Sequence, residues 1–282
     1  MIIKGKPVAD EITYELIKEV KNLKENGIIP TLAIVRVGEN ADDISYERGV
    51  LNRNAKIGIE VKQIVLEKDI SENEYINIIN NLNNDKSINA ILCLRPLPKT
   101  IDESKIKYII NEEKDVDCFN PINSSKLFEG DLDGYYPCTP EAVMKILKYY
   151  NVDLTGKKAV VIGRSMIVGR PVSMMLLKEN ATVTICHSKT KNLIDEVKNA
   201  DIVIAAIGKA KVINNSYIKK DAVVIDVGIN VDENGNLCGD VDTDSLVDIV
   251  SMITPVPGGV GSVTTSVLAE HIVRACKKQN DL

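Results

Sequence analysis

Residues 159–171 read AVVIGRSMIVGRP. An apolar run, Ala159–Ile162, stops at Gly163. Ser165 and Gly169 follow, and then an apolar segment of helical length, Pro171–Leu177. A strand, a tight glycine turn and a helix start together suit the pyrophosphate of a dinucleotide. Glycine lets the backbone approach, and the helix N-terminus offers free N–H groups and partial positive charge. The spacing is G-x-S-x-x-x-G, a departure from the common G-x-G-x-x-G, so a plain strand–turn–helix fits this stretch equally well.

The next strand narrows the ligand. Residues 181–186 (ATVTIC) lead into His187-Ser188-Lys189-Thr190. An NAD site usually carries an acidic residue here for the ribose hydroxyls, and this chain has none. Arg164 in the glycine turn and the Ser188-Lys189 pair suit a 2′-phosphate, because guanidinium meets phosphate oxygens in a fork. These residues favour NADP over NAD. The alternative is that Arg164 and Lys189 are solvated loop charges.

Strands and helices alternate outward from this unit in both directions, which indicates α/β layers with parallel sheets. Toward the N-terminus the pattern predicts a helix over 8–26, a strand over 31–37, a helix over 45–57, a strand over 60–66, a helix over 71–83 and a strand over 90–94. Ser71 and Glu74 have capping-box spacing. Residues 98–138 read as irregular and as a place for a hinge or active-site loops. Thr139 and Pro140 fit an N-cap and first helical position for a helix over 141–150. Further strands are expected over 202–206 and 222–226, and a last helix over 264–278.

Bulk properties exclude several classes. The 282 residues carry a net charge of −5, with 44% hydrophobic and 27% charged residues. That balance leaves no basic footprint for nucleic acid or an anionic membrane surface. No apolar run approaches the roughly 20 residues of a transmembrane helix, and the N-terminus lacks a signal-peptide core. The expected location is the cytoplasm. Six scattered cysteines without a C-x-x-C pair, and only two histidines, give no reason to expect a metal site or disulfide framework.

Three more stretches stand out: residues 38–46 with the helix after them, Glu113-Lys114-Asp115-Val116-Asp117, and Thr254-Pro255-Val256-Pro257-Gly258-Gly259-Val260-Gly261. With PTLAIVRVG, PCTP, VVIGRSMIVGRP, TVTICHSKT, VIDVGIN and GDV they run in the order of one family. The chain resembles the FolD family, methylenetetrahydrofolate dehydrogenase/methenyltetrahydrofolate cyclohydrolase. The resemblance implies two domains around a cleft. A folate-binding catalytic domain would comprise residues 1–138 plus 264–282, and a Rossmann-like NADP-binding domain residues 139–263. It implies a homodimer that oxidises 5,10-methylenetetrahydrofolate to the 5,10-methenyl form and hydrolyses that to 10-formyltetrahydrofolate.

Carried over by position, Asp117 matches the aspartate that binds the pterin, and Tyr46 a tyrosine that orients the folate. Both are the catalytic and substrate candidates, with Pro257, Gly258 and Gly259 in the loop that the folate approaches. Gly163, Arg164, Ser165, Gly169, His187, Ser188 and Ile229 match the cofactor side.

Two positions depart from the family. Its catalytic lysine, four residues after the tyrosine, is Val50 here, and its supporting glutamine is Leu94. Cys118 replaces a glycine, and Ser262 a proline. Hydride transfer needs positioning, whereas hydrolysis of the methenyl cation moves protons, and general acid/base help is typically worth 10²–10⁴-fold. The expectation is therefore a dehydrogenase with weak or lost cyclohydrolase activity. The alternatives are a full bifunctional enzyme using another proton shuttle, or a non-catalytic folate- or NADP-binding paralogue. Arg48, Arg53 and Arg95 lie nearby in sequence; arginine is a poor base but can orient water.

Overall fold

Short stretches dominated by Val, Ile, Leu, Ala and Cys become buried parallel strands, flanked by helices whose polar faces meet solvent. A computed structural model describes all 282 residues and divides them into two compact units, residues 11–136 with 265–282 and residues 1–10 with 137–264.

The first of these is built on α1 (Gly5–Glu25), β1 (Thr31–Val37), α2 (Ala41–Ile57), β2 (Glu60–Leu66), α3 (Glu72–Asn84) and β3 (Ala90–Cys93), followed by α4 (Glu103–Ile106) and α5 (Pro121–Glu129). Its three strands lie in the order β2-β1-β3, all parallel. The strand after β1 pairs on one side of it and the next strand on the other. The order therefore reverses at β1, and the C-terminal ends of β1 and β3 form the kind of crevice where α/β sheets bind ligands. Asp115 bridges Ile91 in parallel and extends this edge.

The second unit contains α6 (Cys138–Tyr149), β4 (Lys158–Ile162), α7 (Gly169–Lys178), β5 (Thr182–Cys186), α8 (Leu193–Val197), β6 (Ile202–Ala205) and β7 (Val223–Asp226). The β8–β9 hairpin (Asn230–Val231, Leu237–Cys238), α9 (Thr243–Leu246) and β10 (Met252–Ile253) follow, and α10 (Gly261–Lys278) closes the chain, its residues from 265 onward belonging to the first unit. The sheet order is β10-β7-β6-β4-β5, all parallel, and reverses at β4.

Several expectations change. Residues 98–138 are not irregular throughout: Asp102 caps α4, and Asn120 with Pro121 starts α5, which Gly130 ends at φ 74. The helix expected from Glu141 begins at Cys138 with Pro137 as N-cap and no side-chain cap. Thr139 and Pro140 lie inside its first turn, where proline removes no helical hydrogen bond. Helix α2 starts four residues early, because Asn40 accepts from the Asp42 N–H. The short strand β10 has no counterpart in the sequence reading. Residues 1–10 group with the five-stranded unit: Ile2 bridges Ile253, and the N–H groups of Ile3 and Gly5 donate to Ile253 and Gly258 at 2.8 and 2.9 Å. The capping box at Ser71 and Glu74 forms as its spacing predicts. No helix is long and apolar enough to cross a membrane.

Candidate active site

In the five-stranded unit the glycine turn sits at the reversal point. Gly163 ends β4 at φ 148, and a Cβ there would lie 2.3 Å from the carbonyl oxygen of Ala206, just past β6. A Cβ on Gly169 would lie 2.2 Å from the Gly163 carbonyl oxygen. The two glycines close the turn against itself, so neither position has room for a side chain. Gly163→Ala is expected to cost about 1–3 kcal/mol of stability by overpacking, read as a lower denaturation midpoint. An unchanged midpoint would mean that the turn opens without penalty.

The Ser165 hydroxyl accepts from the N–H groups of Val168 and Gly169 at 3.0 and 3.5 Å, which shapes the entry to α7. The N–H groups of Arg164, Ser165, Met166 and Ile167 donate to no acceptor in the protein. Together with the start of the ten-residue helix α7 they form an anion-receptive turn, which fits a pyrophosphate. Arg164, Ser165 and Ser188 are exposed. His187 is part of the next turn: its Nδ1 accepts from Lys189 N–H at 3.1 Å, and its own N–H donates to Thr190 Oγ1 at 2.8 Å. Ile229 is 68% exposed, between β7 and β8.

Two buried aspartates brace this end of the sheet. Asp226 accepts from the N–H groups of Gly228, Asp240 and Val241 at 2.9–3.0 Å. Asp240 accepts from the N–H groups of Ile207, Gly208 and Lys209 and from Asn230 Nδ2. The turns after β6 and β7 are thus tied to the segment that follows β9 by carboxylates. Burial pushes the Asp226 carboxyl up to about 6, against the pull of its three N–H donors. Sequence reading missed both residues; only the GDV stretch hinted at Asp240. The loop of Pro257, Gly258 and Gly259 belongs to the same unit. Gly258 has φ 97, and a Cβ on Gly5 would meet the Gly259 carbonyl at 2.1 Å.

In the three-stranded unit, Asp117 stands half-buried on a segment held from several sides. The Asp115 carboxylate accepts from the N–H groups of Phe119 and Asn120 at 2.9 and 2.8 Å and from Asn123 Nδ2 at 2.9 Å. Burial pushes its carboxyl up, and those three donors hold it down. Before it, the Ile91 N–H donates to the Lys114 carbonyl at 2.7 Å. After it, buried His271 on α10 donates through Nδ1 to the Val116 carbonyl at 2.8 Å. Asp117 therefore projects from a backbone fixed on both sides. Cys118 adopts φ 58, the left-handed region that favours glycine. Its thiol lies 3.6 Å from Ser124 Oγ, and burial pushes it up to about 12, so it is no nucleophile.

Tyr46 lies one turn before Val50 on α2. That helix is pinned beside Tyr46 by a buried ion pair: Arg36 Nε donates to Glu47 Oε2 at 2.7 Å, and Gln63 donates to Glu47 Oε1 at 2.9 Å. Val50 is completely buried, and Leu94 nearly so, its N–H donating to the Val35 carbonyl at 2.9 Å. The two positions form part of the apolar interior. Arg53 is engaged elsewhere, with Thr13 Oγ1 at 2.7 Å and Thr265 Oγ1 at 3.4 Å.

Comparison with known proteins settles the family. Residues 3–117 match the catalytic domain of tetrahydrofolate dehydrogenase/cyclohydrolase, and residues 137–280 its NAD(P)-binding domain. The chain belongs to the FolD family. A bifunctional FolD of Clostridioides difficile is 64% identical over 99% of this chain and 98% of its own length. One from Clostridium kluyveri is 58% identical over 100% and 99%. The solved Campylobacter jejuni FolD superposes with TM-score 0.97 at 41% identity, covering 100% of this chain and 99% of that one. A Trypanosoma brucei FolD, solved with NADP and an inhibitor, superposes at TM-score 0.95 and 34% identity over 100% and 99%. The α/β two-domain FolD fold, the NAD(P)-binding domain and the dehydrogenase class are thereby established.

Proposed function

We propose that this chain oxidises 5,10-methylenetetrahydrofolate with NADP and also hydrolyses the methenyl product, without a lysine at position 50 or a glutamine at position 94. The observation that carries the reading is Asp117 on its braced segment, in a chain with an anion-receptive glycine turn. The names of its relatives favour both activities on one chain over the loss of hydrolysis that Val50 and Leu94 suggest.

The residues take the following parts. The Gly163–Gly169 turn and the start of α7 hold the pyrophosphate, and Arg164, Ser165 and Ser188 face the 2′-phosphate that separates NADP from NAD. His187 shapes the turn beside them, and Ile229 borders the nicotinamide. Bound NADP supplies the hydride acceptor. Asp117 accepts two hydrogen bonds from the aminopyrimidine edge, while Tyr46 and the Pro257-Gly258-Gly259 loop orient the folate. As the methylene C–H leaves as hydride, the adjacent nitrogen lone pair forms the C=N bond of the cation, a step that needs alignment and no side-chain base.

Hydrolysis adds water to that cation and moves protons. Valine and leucine carry none, so the proton passes through water or a neighbouring polar group, at a cost within the 10²–10⁴-fold that acid/base groups typically provide. Homodimer formation belongs to the same proposal.

Two assays test it on the purified protein. One follows NADPH formation from 5,10-methylenetetrahydrofolate and NADP; the other follows hydrolysis of the methenyl compound alone. NADPH formation with hydrolysis above the buffer rate supports the proposal. NADPH formation with the methenyl compound accumulating at the buffer rate would restore the dehydrogenase-only reading. Silence in both would reject the enzyme.

A further inference from the structure

Asp117 is an acceptor, which raises the question of what meets the rest of the pterin edge. Arg95 follows Leu94 directly, at the C-terminal end of β3 and therefore at the crevice of the three-stranded sheet. Its guanidinium lies 4.4 Å from the ring centroid of Phe119, two residues beyond Asp117. It makes no hydrogen bond and no ion pair, although it is only half exposed. Phe119 follows Asp117 by two positions, so the guanidinium stacks on the short segment that carries that carboxylate. Stacking on Phe119 fixes the plane of the guanidinium and leaves its five N–H donors unused.

The substrate named in the proposed function presents a 2-amino-4-oxo ring edge, with donors at the 2-amino group and N3–H and an acceptor at the 4-oxo oxygen. A carboxylate satisfies the two donors and repels the acceptor. A recognition site for the whole edge needs an acceptor group and a donor group side by side. Asp117 is the first, and among the side chains around it Arg95 has the unused donors. We propose that Arg95 is a specificity-determining residue that donates to the 4-oxo oxygen of the pterin. This rests on the folate reading above.

The test compares binding of tetrahydrofolate and its 4-amino-4-deoxy counterpart, whose amino group cannot accept that bond. Both are titrated into the full chain carrying wild-type Arg95, Arg95→Leu, Arg95→Gln or Arg95→Lys, with NADP binding as a control for folding. A hydrogen bond to a charged group is worth about tenfold or more in affinity. Arg95→Leu is expected to weaken tetrahydrofolate about tenfold and the 4-amino compound less than about twofold. Arg95→Gln, which keeps an N–H donor, is expected to retain part of the 4-oxo preference even if the leucine variant fails to fold.

Equal losses for both ligands, or no loss, would show that Arg95 only covers Phe119, and would overturn the assignment. A glutamine variant that discriminates no better than leucine would overturn it as well. Wild-type protein that binds neither ligand would overturn the folate reading itself, whereas binding that ignores Arg95 would overturn this proposal alone.

Discussion

Asp117→Ala is expected to lower kcat/KM for 5,10-methylenetetrahydrofolate by about 10²–10⁴-fold and to leave NADP binding unchanged. Each hydrogen bond to an ionised carboxylate is worth about 1.5–3 kcal/mol, and the aminopyrimidine edge offers two. Other residues brace the segment. Asp115 holds the turn that follows through Phe119, Asn120 and Asn123, and His271 holds Val116. The loss should therefore appear in steady-state kinetics without a shift in thermal midpoint. Asp117→Asn keeps one acceptor oxygen and should fall between wild type and alanine. Kinetics unchanged in the alanine variant would remove Asp117 from the site.

Glu47→Ala is expected to destabilise the three-stranded unit by about 3–5 kcal/mol. Both partners of the Arg36–Glu47 pair are buried, with side chains 11% and 4% exposed. Removing the carboxylate strands a guanidinium away from water, and breaking a buried pair costs far more than the pair contributes in net stability. Gln63 loses its acceptor too. Arg36 also donates to the Gly38 carbonyl, which compensates only a small part of its charge. The effect reads as a lower urea midpoint. Replacing both partners with apolar residues of similar size should recover much of the loss, because no charge is then left buried. A Glu47→Ala midpoint within experimental error of wild type would show that water reaches Arg36. Because α2 carries Tyr46, the proposed folate contact, loosening the helix is expected to raise KM for the folate before it lowers kcat.

Local chemistry made much of this fold legible. The strand over 31–37 falls where a hydrophobic run bounded by Pro30 and Gly38 places it, the strand over 60–66 starts just after the helix-ending Gly58, and the Ser71–Glu74 capping box forms as its spacing requires. These signals are properties of a few neighbouring residues. The misplacements have a common origin. The start of α6 has no side-chain cap to read, and Asn40 starts α2 before any apolar residue does. The two-residue strand β10 is recognisable only through its pairing with β7.

The chain's own residues determined the parallel α/β class, the glycine turn at 163–169, the absence of an acidic residue after β5, and the family through its ordered motifs. They also placed Asp117 and exposed the changes at Val50 and Leu94. Only the tertiary structure decided which polar groups meet. His271 reaches Val116 across 155 positions, Asp226 and Asp240 tie three turns together, and Arg95 settles on Phe119 with its donors unspent. The physical reason is burial. A carboxylate or guanidinium in solution is satisfied by water anywhere along a chain, and its position carries little information. Once packing removes the water, each such group must find a particular partner, and that partner is set by which distant segments pack together within each unit.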